Sequence, residues 1–315
     1  MTATTSTTQA GFHEGELAVQ RSAGVEAQAA RLSPLLDPPA LSPGFNQFLA
    51  TRTFAALTAR DRTGTLWISP LTGPPGFIEA TTPTTLAVHG RPSPGDPLEH
   101  VQPDQQAALI VIDFAARRRI RINGTLSHTD SGTLRISVDQ AYGNCPQYIQ
   151  QRHMDPQPAG SARHMPTRHD GPLTSAEAEL VHRADTFLIG TTHPTRGNDA
   201  SHRGGPPGFV RVEGDRLWWP DYQGNNMFNT MGNLAVDPTA ALLFFDFTTG
   251  ETLHLSGSAT VDFTPQDIPG DDGGTGRRLH FIPRHVVAGH LLPMRASTVA
   301  PYPGNPDLTD EPQPR

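Results

Sequence analysis

Short apolar runs broken by Gly, Pro, Asp and Asn recur along most of the chain, and this spacing predicts strands rather than long helices. In the first half the strands fall at 53–59, 66–69, 85–88, 108–114, 119–125 and 133–138. Turn residues at 61–64, 92–97 and 130–132 separate them. In the second half they fall at 186–192, 208–213, 216–219, 241–247, 252–263 and 278–283. The run ALIVIDF at 108–114 is apolar without alternation, as suits a strand buried on both faces. Helical patterning is confined to four places. Residues 14–32 carry helical composition up to the region of Pro34. Ser42 followed by Pro43 marks an N-cap and first turn. Asn144 is positioned to cap a helix over CPQYIQQR, and Thr174-Ser-Ala-Glu177 forms a capping box for a helix to about residue 184.

The same pattern is written twice. GPPGF at 73–77 recurs at 205–209, and AALIVIDF at 107–114 recurs as AALLFFDF at 240–247, about 133 residues on. Phe54 of FAALTA echoes Phe187 of FLIGTT, and Gly124 of RIRINGT echoes Gly257 of TLHLSGS. Four collinear echoes at so long a period indicate duplication of a whole module. The expected fold is mainly β with peripheral α, two small barrels of about six strands packed about a pseudo-twofold axis. The expected organisation is an N-terminal tail and helix at 1–44, a first barrel at 45–152 and a linker at 153–172. A second barrel at 173–300 and a tail at 301–315 complete it.

Composition then removes whole chemistries. All 24 basic residues are arginine, so a Schiff-base lysine and a P-loop lysine are both excluded. A net charge of −7 leaves no electrostatic footprint for nucleic acid. Neither a GxSxG elbow, an HExxH pair nor a paired-cysteine motif occurs, and the GGTG at 273–276 has no strand-to-helix context. No apolar run reaches the roughly 18 residues of a membrane span. The polar opening MTATTSTTQA lacks a secretory pattern, and Cys145 stands alone, so cytoplasmic residence without disulfides is expected.

The two copies differ where chemistry would sit. The second carries PDYQGNNMFNTMGNL at 220–234 where the first has VHGRPSPGDPLEHV at 88–101. Asn225, Asn226, Asn229, Asn233 and Thr230 thus gather beside Trp218, Trp219, Tyr222 and Phe228. Amides for hydroxyls and ring faces for stacking suit a polyhydroxylated, phosphorylated aromatic ligand. The second GPPGF is preceded by Ser201-His202-Arg203-Gly204, whereas the first follows Ser69-Pro70-Leu71-Thr72. Arginine beside paired glycines offers a guanidinium and backbone donors to one anion. Cys145 is either a reactive thiol at a helix N-terminus or a small buried filler.

The segments SHRGGPPGFV, PDYQGNNMFNTMGNL, LLFFDF, FAALTARDRTGTLWISPLTGPPGF and AYGNCPQYIQQR resemble the pyridoxamine 5'-phosphate oxidase-like flavin-binding proteins, in particular their tandem two-barrel members. The resemblance implies split β-barrels with FMN at their junction. It implies FMN contacts from Asn225, Asn226, Met227, Asn229, Thr230 and Asn233, and from Ser201, His202, Arg203 and Arg211 on the preceding strand. Arg203 with Asn229 or Thr230 would lie near phosphate, and Asn225 and Asn226 along the ribityl chain. Ser69 and Thr72 would contribute from the first copy, and Cys145 and Tyr148 are the candidates beside the ring. His13, Glu14 and Glu16 would either cover the cofactor or form a solvated helix start. The chain lacks the arginine and lysine pattern of the vitamin-making oxidases on 225–233, which points away from pyridoxamine phosphate itself. The implied activity is an FMN-dependent oxidation or reduction of a small molecule, with NAD(P)H or a separate reductase as partner. The alternative is a flavin or haem carrier, or a regulatory protein, without turnover. A monomer or weak homodimer is expected, with neither nucleic acid nor membrane as partner.

Overall fold

A computed structural model describes residues 11–36, 40–129, 132–156, 165–263 and 273–308. The first half forms β1 (Phe54–Arg60), β2 (Leu66–Thr72), β3 (Ile78–Thr82), β4 (Thr85–His89), β5 (Gln105–Asp113), β6 (Arg118–Thr129) and β7 (Thr133–Asn144). They join in the order β2-β1-β5-β6-β7-β4-β3, every neighbouring pair antiparallel. After β8 (Gln151–Pro156) and β9 (Thr167–Asp170), the second half forms β10 (Thr186–His193), β11 (Gly197–Gly204), β12 (Arg211–Glu213), β13 (Arg216–Pro220), β14 (Thr239–Phe245), β15 (Thr252–Phe263) and β16 (Arg277–Gly289). Their order, β11-β10-β14-β15-β16-β13-β12, repeats the first sheet strand for strand. The duplication is therefore one of topology as well as of sequence.

Three apolar clusters account for the pattern of hydrophobic positions. Ala55, Leu57, Leu109, Val111, Ile120 and Ile122 belong to the core of the first barrel, and Phe187, Ile189, Leu242, Phe244, Leu253 and Leu255 to that of the second. A third cluster lies between them, drawing Phe54, Ala56, Ala108, Ile110 and Ile112 from one half and Leu188, Ala241, Leu243 and Phe245 from the other. The continuous run in β5 is thus two interleaved alternations, one face to a barrel core and one to the seam. This register corrects one echo. Ala55 pairs with Val111 as Phe187 pairs with Phe244, so Phe187 matches Ala55, and Phe54 faces the seam instead.

The glycine echo has a steric cause. β6 carries a bulge at Asn123/Gly124 and β15 one at Ser256/Gly257. A Cβ on Gly124 would sit 2.0 Å from the Ser137 carbonyl oxygen, and one on Gly257 would sit 2.1 Å from that of Ile282. Backbone packed this closely admits no side chain at either bulge.

The helices follow the capping signals with two corrections. α3 (Pro43–Leu49) is capped by the Ser42 hydroxyl, and α4 (Ser175–Arg183) carries the full Thr174/Glu177 box. Residues 14–32 divide into α1 (Glu14–Ser22) and α2 (Glu26–Ala30), because Gly24 turns left-handed at φ +67°. The helix expected over CPQYIQQR does not form. β7 runs to Asn144, Tyr148 adopts φ +62°, and the chain enters β8, where pairing with β17 (Met294–Ala300) overrides local helical preference. Cys145 accordingly lies in a turn, not at a helix start. Strands β3 and β11 were absent from the pattern, β3 because it is short and mostly exposed, β11 because GNDASHRG is polar and yet buried.

The expected linker and tail are also partly structured. β8 and β9 occupy both flanks of 157–164, which lie outside the described residues, as do 1–10 and 309–315. Before residue 309 the Asn305 amide exchanges hydrogen bonds with Gln150, and Leu308 packs against the second core.

Replacing Gly124 or Gly257 with alanine should destabilise the fold by about 1–3 kcal/mol through forced backbone shifts. Gly143→Ala on β7 meets open space and should change stability by less than about 0.5 kcal/mol. Urea unfolding of the three variants would measure this; equal losses at all three positions would refute the steric account.

Candidate functional site

Polar side chains reach the seam where β6 meets β11. Alternation along β6 sends Ile120 and Ile122 into the barrel core, leaving Arg119, Arg121 and Asn123 on the opposite face. β11 answers with Asp199, Ser201, His202 and Arg203. The 144–148 turn from the first half, and the 220–228 loop with α5 (Asn229–Val236) from the second, complete a cleft open to solvent.

Its charges do not balance. Arg121 is held by Asp199 at 3.0 and 3.1 Å, Ser201 Oγ at 2.8 Å, Asn229 Oδ1 at 3.2 Å and the Tyr142 hydroxyl at 3.3 Å. Arg203 donates to Asp221 at 3.2 Å, and the same carboxylate takes Arg277 at 2.9 Å. Arg119 has no such carboxylate among the described contacts. Its Nη1 donates to His202 Nδ1 at 2.8 Å, which places the proton of the neutral imidazole on Nε2. Burial, then Arg121 and Arg203, push the Arg119 guanidinium down to about 9. Burial, then Arg119, hold His202 well below the usual imidazole range. Four guanidiniums thus face two carboxylates. Arg119 Nε, Arg203 Nε, His202 Nε2 and Asn144 Oδ1 are buried without a hydrogen-bond partner among the described residues.

α5 adds a further positive end. Its N-cap, Phe228, sits at φ +61° and supplies no side-chain cap, so the first amide groups of the helix begin at Asn229, Thr230 and Met231, all of which line the cleft. The start of the chain braces this helix from behind. α1 crosses α5 so closely that a Cβ on Gly15 would lie 2.1 Å from the Gly232 carbonyl oxygen. Glu16 accepts from Asn229 Nδ2 and from His13 N–H at 2.8 Å; His13 Nε2 donates to Asn233 Oδ1 at 3.1 Å; Gln20 donates to the Met227 carbonyl at 3.2 Å. His13 and Glu16 are therefore buried parts of the cleft's back wall, and only Glu14 of the three is solvated.

His13, Glu14 and His193 lie close enough to suggest a metal site. Their hydrogen bonds argue otherwise. Both Nδ1 atoms accept from backbone N–H groups, His13 from Gly15 at 3.1 Å and His193 from Thr195 and Arg196 at 3.2 Å. Each neutral ring then carries its proton on Nε2, the nitrogen a metal would need.

Of the residues singled out in sequence, Ser201, His202, Arg203, Asn225, Asn226, Asn229, Thr230, Cys145 and Tyr148 line the cleft together. Asn233 lies behind it, bonded to Thr191 and His13. Met227 is buried with Leu36 and Tyr142, and Arg211 stacks on Trp218 at 5.6 Å. Ser69 and Thr72 belong to β2, and Ser69 is wholly buried against Asp96. Arg119 and Arg121 were missed. The alternation of RIRIN carried the signal, with arginine at every second position of a strand whose other face is apolar.

Residues 173–267 match the family model described as Pyridoxamine 5'-phosphate oxidase. Among solved structures, HupZ of Group A Streptococcus aligns at 12% identity, covering 36% of this chain and 89% of its own, with a TM-score of 0.27. A protein from Clostridium acetobutylicum, related to general stress protein 26 of the pyridoxinephosphate oxidase family, aligns at 17% identity over 37% and 87%, TM-score 0.28. A pyridoxamine 5'-phosphate oxidase-related, FMN-binding protein from Nostoc punctiforme aligns at 13% over 36% and 84%, TM-score 0.25. No curated protein matches.

Burial raises the Glu16 carboxyl to about 7 in the folded chain, from 4.5 when exposed. Between these values the folded state holds more protons than the unfolded, so Glu16 lowers stability progressively as pH rises through this window and fully above about 7. Relative to Glu16→Gln, the wild type should lose on the order of 3 kcal/mol between pH 4.5 and 8. Urea titrations of both proteins across that range would test it, and a pH-independent difference would refute it.

Proposed function

We propose that the chain, whose residues 173–267 match the Pyridoxamine 5'-phosphate oxidase family model, holds FMN in the seam cleft and works as an FMN-dependent oxidoreductase on a small molecule. The observation that carries this reading is Arg119, a half-buried guanidinium with no carboxylate partner among the described residues, beside the unpartnered His202 Nε2 and the uncapped start of α5. A buried cation excess of this kind is stabilised by a bound anion. A phosphate monoester supplies one.

The residues present fit the rest of such a ligand. Arg119 and Arg203, with Asn229 or Thr230 at the α5 terminus, would take the phosphate. Asn225 and Asn226 would face the ribityl hydroxyls. Tyr148 lies tilted against Tyr222 at 5.1 Å between ring centres, offering aromatic surface to a flat ring, with Cys145 on the same wall. Bound FMN would supply hydride or electron transfer. The chain's own residues would orient it, exclude water and hold His202 neutral as a hydrogen-bond donor through Nε2.

In this reading reducing equivalents come from NAD(P)H or a separate reductase, and the protein is a cytoplasmic monomer or weak dimer, since the second barrel already supplies the partner surface. A purified sample should show flavin absorption bands that bleach with NAD(P)H. Bands without bleaching would favour a carrier, a Soret band would favour haem, and a colourless protein that takes up no added FMN would overturn the proposal. Arg119→Ala, and Asn229→Ala combined with Arg203→Ala, should each weaken FMN binding about tenfold or more, since charge-assisted hydrogen bonds contribute roughly 1.5–3 kcal/mol. Undiminished flavin retention in both would remove the site assignment.

A further inference from the structure

Exchange of the two halves maps the cleft onto a second place in the seam. β11 packs across β5 and β6, and reciprocally β2 packs across β14 and β15. We propose that this second place is a shut copy of the ligand site, closed by Asp96 and its loop, so that the fused pair of barrels works with one site and not two.

The register identifies the equivalent residues. Ala108 faces Asn123 as Ala241 faces Ser256, with a bulge following each, so Arg119, Arg121 and Asn123 of β6 correspond to Thr252, His254 and Ser256 of β15. Likewise Leu71 faces Ala55 as Arg203 faces Phe187, so Ser69 of β2 corresponds to Ser201 of β11. Two guanidiniums are thereby replaced by a hydroxyl and an imidazole, and Arg203 by a leucine. The cation excess that suits the cleft to an anion has no counterpart here.

The space is also filled. Where the second half carries the open 220–228 loop and α5, the first half carries a proline-rich segment that folds inward. Ser93 Oγ donates to the Leu291 carbonyl at 3.1 Å, and Arg168 to the Gly95 carbonyl at 2.7 Å, anchoring it on the second half. Asp96 then accepts from Ser69 Oγ at 2.6 Å and from Leu98 N–H at 2.7 Å. His254 donates from Nδ1 to the Ile68 carbonyl at 3.1 Å and turns Nε2 toward Asp96, 3.7 Å away. Ser69, Thr252 and His254 have no exposed surface at all, whereas their counterparts Ser201, Arg119 and Arg121 each keep some, 5% at Ser201 and 6% at Arg121. Burial raises Asp96 to about 7 and lowers His254 to about 4, so these groups resist becoming an ion pair and present no imidazolium to a phosphate, while the nearby Arg168 is engaged by the Gly95 carbonyl.

The inference rests on the flavin reading only for its ligand, and two measurements keep the two apart. Titration of the full-length apoprotein with FMN should saturate at one equivalent per chain, and saturation at two would overturn the proposal. Independently, Ser201→Cys and Ser69→Cys, each in a Cys145→Ser background, place one thiol at each copy of the position. Ser201 is 5% exposed and lines the cleft whereas Ser69 is fully buried, so the thiol at 201 should react with a soluble disulfide reagent about tenfold or more faster under native conditions, a thiol at 69 becoming reachable only through local opening. Equal rates would overturn the shut copy. If no FMN binds at all, the flavin reading falls and the labelling ratio alone decides this one.

Discussion

In β5, Leu109 and Val111 enter one barrel while Ala108, Ile110 and Ile112 join Leu188, Leu243 and Phe245 of the other half across the seam. A strand that is apolar on both faces cannot belong to a free-standing barrel without leaving one face in water. Each half therefore supplies the other's cover, and the two are bound by the same hydrophobic term that folds them. The site inherits its character from this arrangement. Charged side chains of β6 and β11 meet beside a dry apolar seam, where each electrostatic contact is stronger than it would be on an open surface.

Equal halves would have produced equal sites, and the divergence of one segment broke that equality. The 220–234 stretch bends away to form a loop and α5, and so leaves a cleft. Its counterpart drops Asp96, Leu98 and Val101 inward. The opening of the chain then reinforces the difference, because α1 lies on α5 with Gly15 and Gly232 in backbone contact, and Glu16 and His13 fix Asn229 and Asn233. The asparagines are thus divided in role. Asn225 and Asn226 line the cleft, Asn229 faces both the cleft and the N-terminal helix, and Asn233 is a joint between helices.

Sequence patterning disclosed the duplication, most strands and the position of the amide-rich wall, because each of these is local or repeated. It did not disclose features fixed by distant partners. CPQYIQQR reads as a capped helix, but β17, some 150 residues on, pairs with its end and draws it into a strand. GNDASHRG is too polar to read as a strand, yet every residue of it but Arg203 is buried, because Asp199 and Ser201 answer Arg121 from the other barrel. His13 and Glu16 look like a solvated helix start until the cross-chain contacts to Asn233 and Asn229 are known. Arg119 and Arg121 were legible in principle through the alternation of RIRIN. Their counterparts in TLHLS, a threonine and a histidine, gave no hint that the first copy contributes Arg119 and Arg121 to a site shared with the second.

The electrostatic setting of the cleft runs against that of the whole molecule. The chain carries a net −7, so at long range it repels anions, while Arg119, Arg121, Arg203 and Arg277 outnumber Asp199 and Asp221 locally. Such an opposition separates capture from retention. Beyond about one Debye length, near 8 Å at physiological salt, the overall charge is screened, and within the cleft the buried guanidiniums dominate. Retention then depends on contact rather than on steering, through fixed donors such as Arg119, the protonated Nε2 of a neutral His202 and the amides at the head of α5. A ligand that carries negative charge but cannot reach those donors gains little from the site, which under the proposed flavin reading favours a small terminal anion on a narrow stem over acidic molecules in general.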